Sequence, residues 1–220
     1  FYGNYGRWKF ISAYGRSSKG TMYLLSFNTL AERQQEFSGI YRFWGEGTVR
    51  AIMELKQCDA TQATAIMADF EARGLTTQEF YREMQTWLGQ RVLVDKSATY
   101  AVEWETLQRA ELLFDKPLYI NLLRHPYGMI HSFEEARLDQ LYMPSILEHH
   151  RFARRTFAEL IWYLSYDNIR KFLAQIPSDR KFEIQFEKLL HNPEDSMMQL
   201  CSFLGLSFSS EMLQPYHDKQ

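Results

Sequence analysis

The sequence predicts an α/β protein with a central, mainly parallel sheet flanked by helices. Two observations lead there. Short β-branched or aromatic runs at 8–13, 91–95, 118–123 and 182–186 alternate with longer stretches of helical apolar spacing. Alternation of that kind argues for parallel strands joined by right-handed crossovers. The run Leu118–Leu123 (LYINLL) is nearly all apolar, as in a buried strand.

The elements follow in order. Trp8–Ala13 reads as a short strand, and a Gly/Ser/Lys loop follows at Gly15–Thr21. Phe43–Lys56 and Ala60–Arg73 are helical, with Gly74 as a stop. Thr76 and Glu79 form a capping-box pattern ahead of Phe80, Met84 and Leu88, and Gly89 ends that helix. Arg91–Asp95 (RVLVD) reads as a strand and Glu103–Phe114 as a helix. Pro117 then punctuates. Pro126 opens a helix running toward Glu135 just after the strand Leu118–Leu123. A long helical pattern covers Ser145–Gln175, and Pro177 breaks it. Phe182–Phe186 reads as the last strand. Asn192-Pro193-Glu194-Asp195 gives a cap, a proline and two acids in the order of a helix start, and Gly205 closes that helix.

Composition bounds the function. The 220 residues are 45% apolar and 15% aromatic, which excludes a disordered chain. Lys+Arg number 25 against 27 Asp+Glu, a net charge of −2, so a dedicated nucleic-acid binder is not expected. Cys58 and Cys201 make neither a disulfide framework nor a Cys-rich zinc site, and a reducing cytoplasm is expected. No metal-ligand spacing and no membrane-length apolar run is present, so neither metal nor membrane is expected. No repeat or linker interrupts residues 1–220, which read as a single domain cut from something longer.

In α/β sheets, ligands bind outside the carboxyl ends of the strands. Three strand ends carry suggestive residues. The first ends in Arg16-Ser17-Ser18-Lys19-Gly20-Thr21, whose small residues and cations suit an anion. It has the G-xxxx-G spacing of a Walker loop, but Lys19 precedes the second glycine; an exposed flexible turn reads equally well. The second ends in Asp95-Lys96, which points a cation toward the crevice that the strand 118–123 also faces; a solvated loop lysine is the plainer reading. The third runs directly into Arg124-His125-Pro126. There a helix N-terminus offers N–H groups to an anion and Arg124 adds a planar fork suited to phosphate. Gly128 and Ser132 share one face of that helix, the glycine leaving room for a nucleotide and the serine offering a hydroxyl to its phosphate. Arg124 as a structural carboxylate partner is the alternative.

These residues carry a resemblance. Arg124 with Ser132 eight positions on resembles the 3′-phosphate motif of sulfotransferases that use 3′-phosphoadenosine-5′-phosphosulfate (PAPS). Asp95-Lys96-Ser97-Ala98-Thr99-Tyr100 is similar to the E-K-[ST]-[PA]-x-Y segment of heparan-type members. Phe186-Glu187-Lys188-Leu189 followed by Asn192-Pro193, then Cys201-Ser202-Phe203-Leu204-Gly205-Leu206, resembles the late Y-E-D-L…P…FLGL segment of these sulfotransferases. The runs Phe27–Arg33, Leu122–Ile130 and Ser132–Arg137, with Arg154-Arg155, look like sulfotransferase domains of modular polyketide synthases of the curacin and olefin-synthase type. The resemblance spans about residues 24 to 210.

That resemblance implies a P-loop-like sulfotransferase fold, PAPS as cofactor and PAP as product. It implies a 3-hydroxyacyl chain on an acyl carrier protein as substrate, sulfonated at its hydroxyl so that an adjacent thioesterase can release a terminal alkene. It makes residues 1–220 a sulfotransferase domain of a larger multidomain synthase, lacking parts of the cofactor loops. The region of the 5′-phosphosulfate loop, Gly15–Thr21, departs from the family's P-[RK]-S-G-[ST]-T order, and the acid that serves the family as base has no counterpart. A non-catalytic nucleotide-binding remnant and a small P-loop kinase are the alternatives. The kinase lacks the Gly-Lys-Ser/Thr order and an acid pair for Mg²⁺.

The reaction needs a base for an alcohol. His149 and His150 are the candidates, with a solvated helix start as the plainer reading of each. Lys96 is the candidate cation for the leaving phosphate. Arg151, Arg154 and Arg155 suit an acidic carrier protein or a solvated face. His125 is expected to shape the helix start, and His131, His191 and His217 to lie at the surface.

Overall fold

A computed structural model describes residues 4–5, 8–9, 46–96, 98–138 and 152–214. The chain divides into two compact units. One comprises Phe1–Tyr100, Glu105–Asp115 and Ser210–Gln220; the other Ala101–Trp104 and Lys116–Ser209.

In the first unit the hairpin β1 (Asn4–Tyr5) and β2 (Trp8–Lys9) pairs antiparallel, Asn4 opposite Lys9 and Tyr5 opposite Trp8. The predicted parallel strand at 8–13 is corrected in this respect: only two residues separate the paired runs, and a near neighbour in sequence takes the ladder. Residues 10–13 lie outside the described ones. Three helices follow: α1 (Glu46–Lys56), α2 (Ala60–Ala72) and α3 (Thr77–Leu88). The Thr76–Glu79 capping box forms as read. The Glu79 N–H donates to Thr76 Oγ1 at 3.2 Å, and the Thr76 N–H donates to Glu79 Oε2 at 2.8 Å. Gly74 (φ +66°) and Gly89 (φ +62°) supply left-handed stops. Ile52, Phe70, Phe80, Met84 and Leu88 form the buried core, with Trp87 stacked on Phe70 at 5.9 Å. The helix α4 (Trp104–Leu113) delivers Phe114 edge-on to Tyr81 at 4.9 Å.

Arg91–Asp95 is not a strand, which corrects the second predicted strand. Asp95 makes an isolated bridge and no ladder runs along 91–94. Groups of α3 take its polar atoms instead. Gln85 Nε2 donates to the Arg91 carbonyl, and Arg91 Nε donates to the Leu88 carbonyl.

The second unit carries the parallel pair. The strands β3 (Tyr119–Leu123) and β4 (Lys181–Gln185) run in register from Tyr119 opposite Lys181 to Leu123 opposite Gln185. Between them in sequence lie α5 (Pro126–Glu135) and α6 (Arg154–Ala174), the helical crossover that parallel pairing requires. Their facing residues Ile130, Phe133, Phe157, Ala158 and Ile161 are buried together. Phe172 of α6 meets Tyr119 edge-on at 4.9 Å, seating α6 against one face of β3. Ile120 and Leu122, on the other face, keep 38% and 49% of their surface, so β3 is half-covered, not fully buried as its composition predicted. Among the described residues α6 begins at Arg154; Phe152 and Ala153 are not helical, and 145–151 lie outside the described residues. After β4 come α7 (Phe186–His191) and α8 (Pro193–Phe203). Asn192 precedes Pro193 but makes no side-chain cap bond. Gly205 (φ +69°) closes α8, with the Leu206 N–H returned to the Cys201 carbonyl at 2.8 Å.

The described part is therefore mostly helical, with the small parallel sheet of an α/β protein. No helix among the described residues is long and apolar enough to cross a membrane.

Candidate functional site

The turn from β3 into α5 is built by local chemistry. Pro126 sits at the first helical position, where its fixed φ suits the helix and its missing N–H costs nothing. His125 caps the helix, its Nδ1 accepting from the Tyr127 N–H at 3.3 Å, as the sequence led us to expect of a residue shaping the helix start. Its own N–H donates to Glu187 Oε1 at 2.9 Å. That backbone bond, with others to Glu187's own backbone and the nearby charges of His125 and Arg124, holds the Glu187 carboxyl below its ordinary value.

These bonds correct one expectation. The first turn of α5 was read as a set of free N–H donors. Proline removes one, the His125 ring takes the next, and the Met129 N–H reaches the His125 carbonyl at 3.1 Å. Among the described residues the Gly128 N–H is the donor left over, so the anion-binding capacity of this turn rests on side chains.

Arg124 supplies the main one. Its guanidinium carbon lies 5.0 Å from the ring centre of Phe186, the first residue of α7. Among the described residues it forms no ion pair with a carboxylate. Gly128 is where a second expectation changes. A Cβ built there would lie 3.0 Å from Arg124 Nε and 3.4 Å from its terminal nitrogen. The space that glycine leaves is filled by Arg124, not held open for a nucleotide. Ser132 is one turn further on the same face, half-buried, its hydroxyl without a protein partner among the described residues. Arg124, Gly128 and Ser132 are thus brought together in one unit.

Lys96 belongs to the other unit. The residue before it, Asp95, accepts from the Tyr81 hydroxyl in a short hydrogen bond and from the Tyr100 hydroxyl at 3.0 Å. The two phenols hold Asp95, the residue before Lys96. Desolvation lowers the Lys96 ammonium from its ordinary 10.5 to about 8, although part of the side chain stays exposed. Burial, with the Asp95 charge, pushes the Tyr81 phenol well above its ordinary value.

The other predicted residues fall elsewhere. Arg16, Ser17, Ser18, Lys19, Gly20, Thr21, His149, His150 and Arg151 lie outside the described residues. Arg155 reaches Glu159 at 3.3 Å and lies 6.0 Å from the Tyr127 ring centre. His131 is exposed and faces Glu135 at 3.4 Å. No cluster of His, Cys, Asp or Glu among the described residues is arranged to hold a metal ion.

A family model described as the sulfotransferase family matches residues 21–210. The chain belongs to the sulfotransferase family. Its structure is similar to the sulfotransferase domain from the curacin biosynthetic pathway, with a TM-score of 0.82 and 38% identity over 95% of this chain and 72% of that one. It is also similar to the sulfotransferase domain from the Synechococcus PCC 7002 olefin synthase, with a TM-score of 0.79 and 31% identity over 90% of this chain and 66% of that one. No curated protein matches the sequence. The sulfotransferase fold named from the motifs is the one found.

Two residues of this sulfotransferase acquire roles that the sequence reading did not give them. In the sequence, Phe186 and Glu187 stand out only as part of the motif Phe186–Leu189. The parallel register sets them beside Arg124 and His125, one step past Leu123 opposite Gln185. That register was the missing signal.

Proposed function

We propose that this sulfotransferase takes sulfonate from PAPS and delivers it to the 3-hydroxyl of an acyl chain on an acyl carrier protein. The product is set for decarboxylative elimination to a terminal alkene by an adjacent thioesterase. Sulfotransferases of this family generally use PAPS as donor. The observation that carries the reading is Arg124: an arginine oriented over Gly128, on one face with the Ser132 hydroxyl, neither of them bonded to a protein side chain's oxygen among the described residues. That donor set fits a phosphate. The similar domains from the curacin pathway and an olefin synthase support the carrier-bound substrate.

On this reading Arg124 and Ser132 hold the 3′-phosphate, and Arg16, Ser17, Ser18, Lys19, Gly20 and Thr21 hold the 5′ end. When bound, PAPS supplies the sulfonate that the acceptor oxygen receives. His149 or His150 takes the proton from that hydroxyl. Lys96 presents positive charge where negative charge grows on the leaving phosphate, an interaction stronger in the transition state than in the ground state.

The test is intact-mass spectrometry of a 3-hydroxyacyl carrier protein incubated with the chain and PAPS. The expected result is an added sulfonate on the acyl group. A chain that binds PAP but never sulfonates a hydroxyl is the non-catalytic remnant; one that phosphorylates from ATP is a kinase.

A further inference from the structure

We propose that Phe186 and Glu187, at the carboxyl end of β4, are positioning residues that set Arg124 for its anion before the anion arrives. The proposal rests on the reading of Arg124 as the 3′-phosphate ligand and adds to it the means of its orientation.

Two neighbours bound the Arg124 side chain, and a hydrogen bond holds the residue next to it. Its guanidinium has the Phe186 ring centre 5.0 Å from Cζ, close enough for a cation–π attraction. The backbone of Gly128 bounds it elsewhere, so near that a Cβ would sit 3.0 Å from Nε. Its chain neighbour His125 is tied through its N–H to Glu187 Oε1 at 2.9 Å. Phe186 and Glu187 are consecutive, and they follow directly on the last register pair, Leu123 opposite Gln185. One strand end therefore fixes both the side chain and the backbone of the neighbouring one.

The division of labour is chemically sensible. An aromatic ring beside the guanidinium orients it without accepting its N–H bonds, so those donors, which lie in the guanidinium plane, remain for a phosphate. A carboxylate bonded to Arg124 would occupy those donors. The carboxylate of Glu187 bonds the His125 backbone and forms no ion pair with Arg124; that backbone bond first, and the Arg124 charge least, holds its pKa below the ordinary value. A long side chain already held in its binding geometry loses less freedom when the ligand arrives.

The experiment measures calorimetric affinities of the chain for PAP and for AMP, which lacks the 3′-phosphate. The unaltered chain is expected to prefer PAP, and Arg124→Ala to abolish the preference. Phe186→Leu, which keeps apolar bulk but removes the ring, should shrink the preference about tenfold while leaving AMP binding unchanged. Phe186→Tyr should retain it. Glu187→Ala should shrink it by a similar factor, and Glu187→Gln, which still accepts from the His125 N–H, should retain it. In an Arg124→Ala background, Phe186→Leu should have no further effect on PAP affinity. A purely structural role would lower PAP and AMP binding together and persist without Arg124; either result overturns the proposal. If Arg124→Ala abolishes the preference while Phe186→Leu and Glu187→Ala leave it intact, the positioning role fails and the ligand reading stands. If the unaltered chain shows no preference for PAP, the ligand reading fails and the positioning role falls with it.

Discussion

The Arg124 guanidinium fills the space beside Gly128 that any other residue's Cβ would claim, 3.0 Å from Nε. The two residues are four apart, so the arginine that follows β3 folds back over the first turn of α5. Gly128 has helical backbone geometry; its small size, not a special φ, is what the site uses.

That relationship makes Gly128→Ala act in opposite directions on stability and binding. Alanine in a helix is favoured over glycine by about 0.5–1 kcal/mol, so the thermal midpoint should rise. The new methyl displaces the guanidinium by a few tenths of an ångström and should weaken PAP binding several-fold. Thermal melting and calorimetry on the same sample measure both. A variant less stable but equal in PAP affinity would contradict the argument.

Arg124→Ala should cost about 2 kcal/mol of PAP affinity, as a charge-assisted contact. Ser132→Ala should cost about 1 kcal/mol, as a neutral donor. The same calorimetric titrations rank them, and a serine effect larger than the arginine effect would reverse the assigned roles.

What the sequence made legible was local. The Thr76–Glu79 box, Pro126 at the start of α5, and Gly74, Gly89 and Gly205 as stops are short-range signals, and each stands in the structure. What it hid depends on partners. Arg91–Asp95 has the composition of a strand, but the Gln85 side chain and the Leu88 carbonyl of α3 take polar groups of Arg91. Trp8–Lys9 is a strand whose partner is its near neighbour. The apolar face of β3 at Ile120 and Leu122 keeps a large share of its surface, which composition does not reveal. At the candidate site, the placing of Gly128 and Ser132 on one helix face was legible from their spacing. Phe186 and Glu187 were not, because only the parallel register brings residues 62 apart in sequence together.

Tyr81 and Asp95 should couple in stability. Asp95→Ala leaves the buried Tyr81 hydroxyl without that acceptor and should cost about 2 kcal/mol. Tyr81→Phe removes the donor while the exposed carboxylate turns to water, and should cost about 1 kcal/mol. Urea unfolding of both single variants and the double variant measures the pair. The double variant should lose less than the two single losses combined; full additivity would mean that the phenol–carboxylate bond contributes nothing of its own.

Lys96 should impose a pH limit on turnover. Its ammonium is held at about 8, so it is largely charged at pH 7 and largely neutral by pH 9. The neutral amine cannot oppose charge on the leaving phosphate, so kcat should fall as pH rises through about 8. Lys96→Ala should lower kcat about 10²-fold at pH 7 with little change in PAP affinity. Lys96→Arg stays charged, and the fall near pH 8 should disappear. Unfolding is not the cause of that fall. The folded value of about 8 lies below the unfolded value near 10.5, so between them the unfolded state binds more protons and Lys96 adds stability as pH rises. Tyr81 acts the other way, its raised pKa removing stability only above its ordinary value of 10. Between pH 8 and 10 a rate profile that falls while the thermal midpoint holds or rises would therefore report Lys96 itself. A profile that stays flat to pH 9.5 in an active chain would take Lys96 out of the reaction.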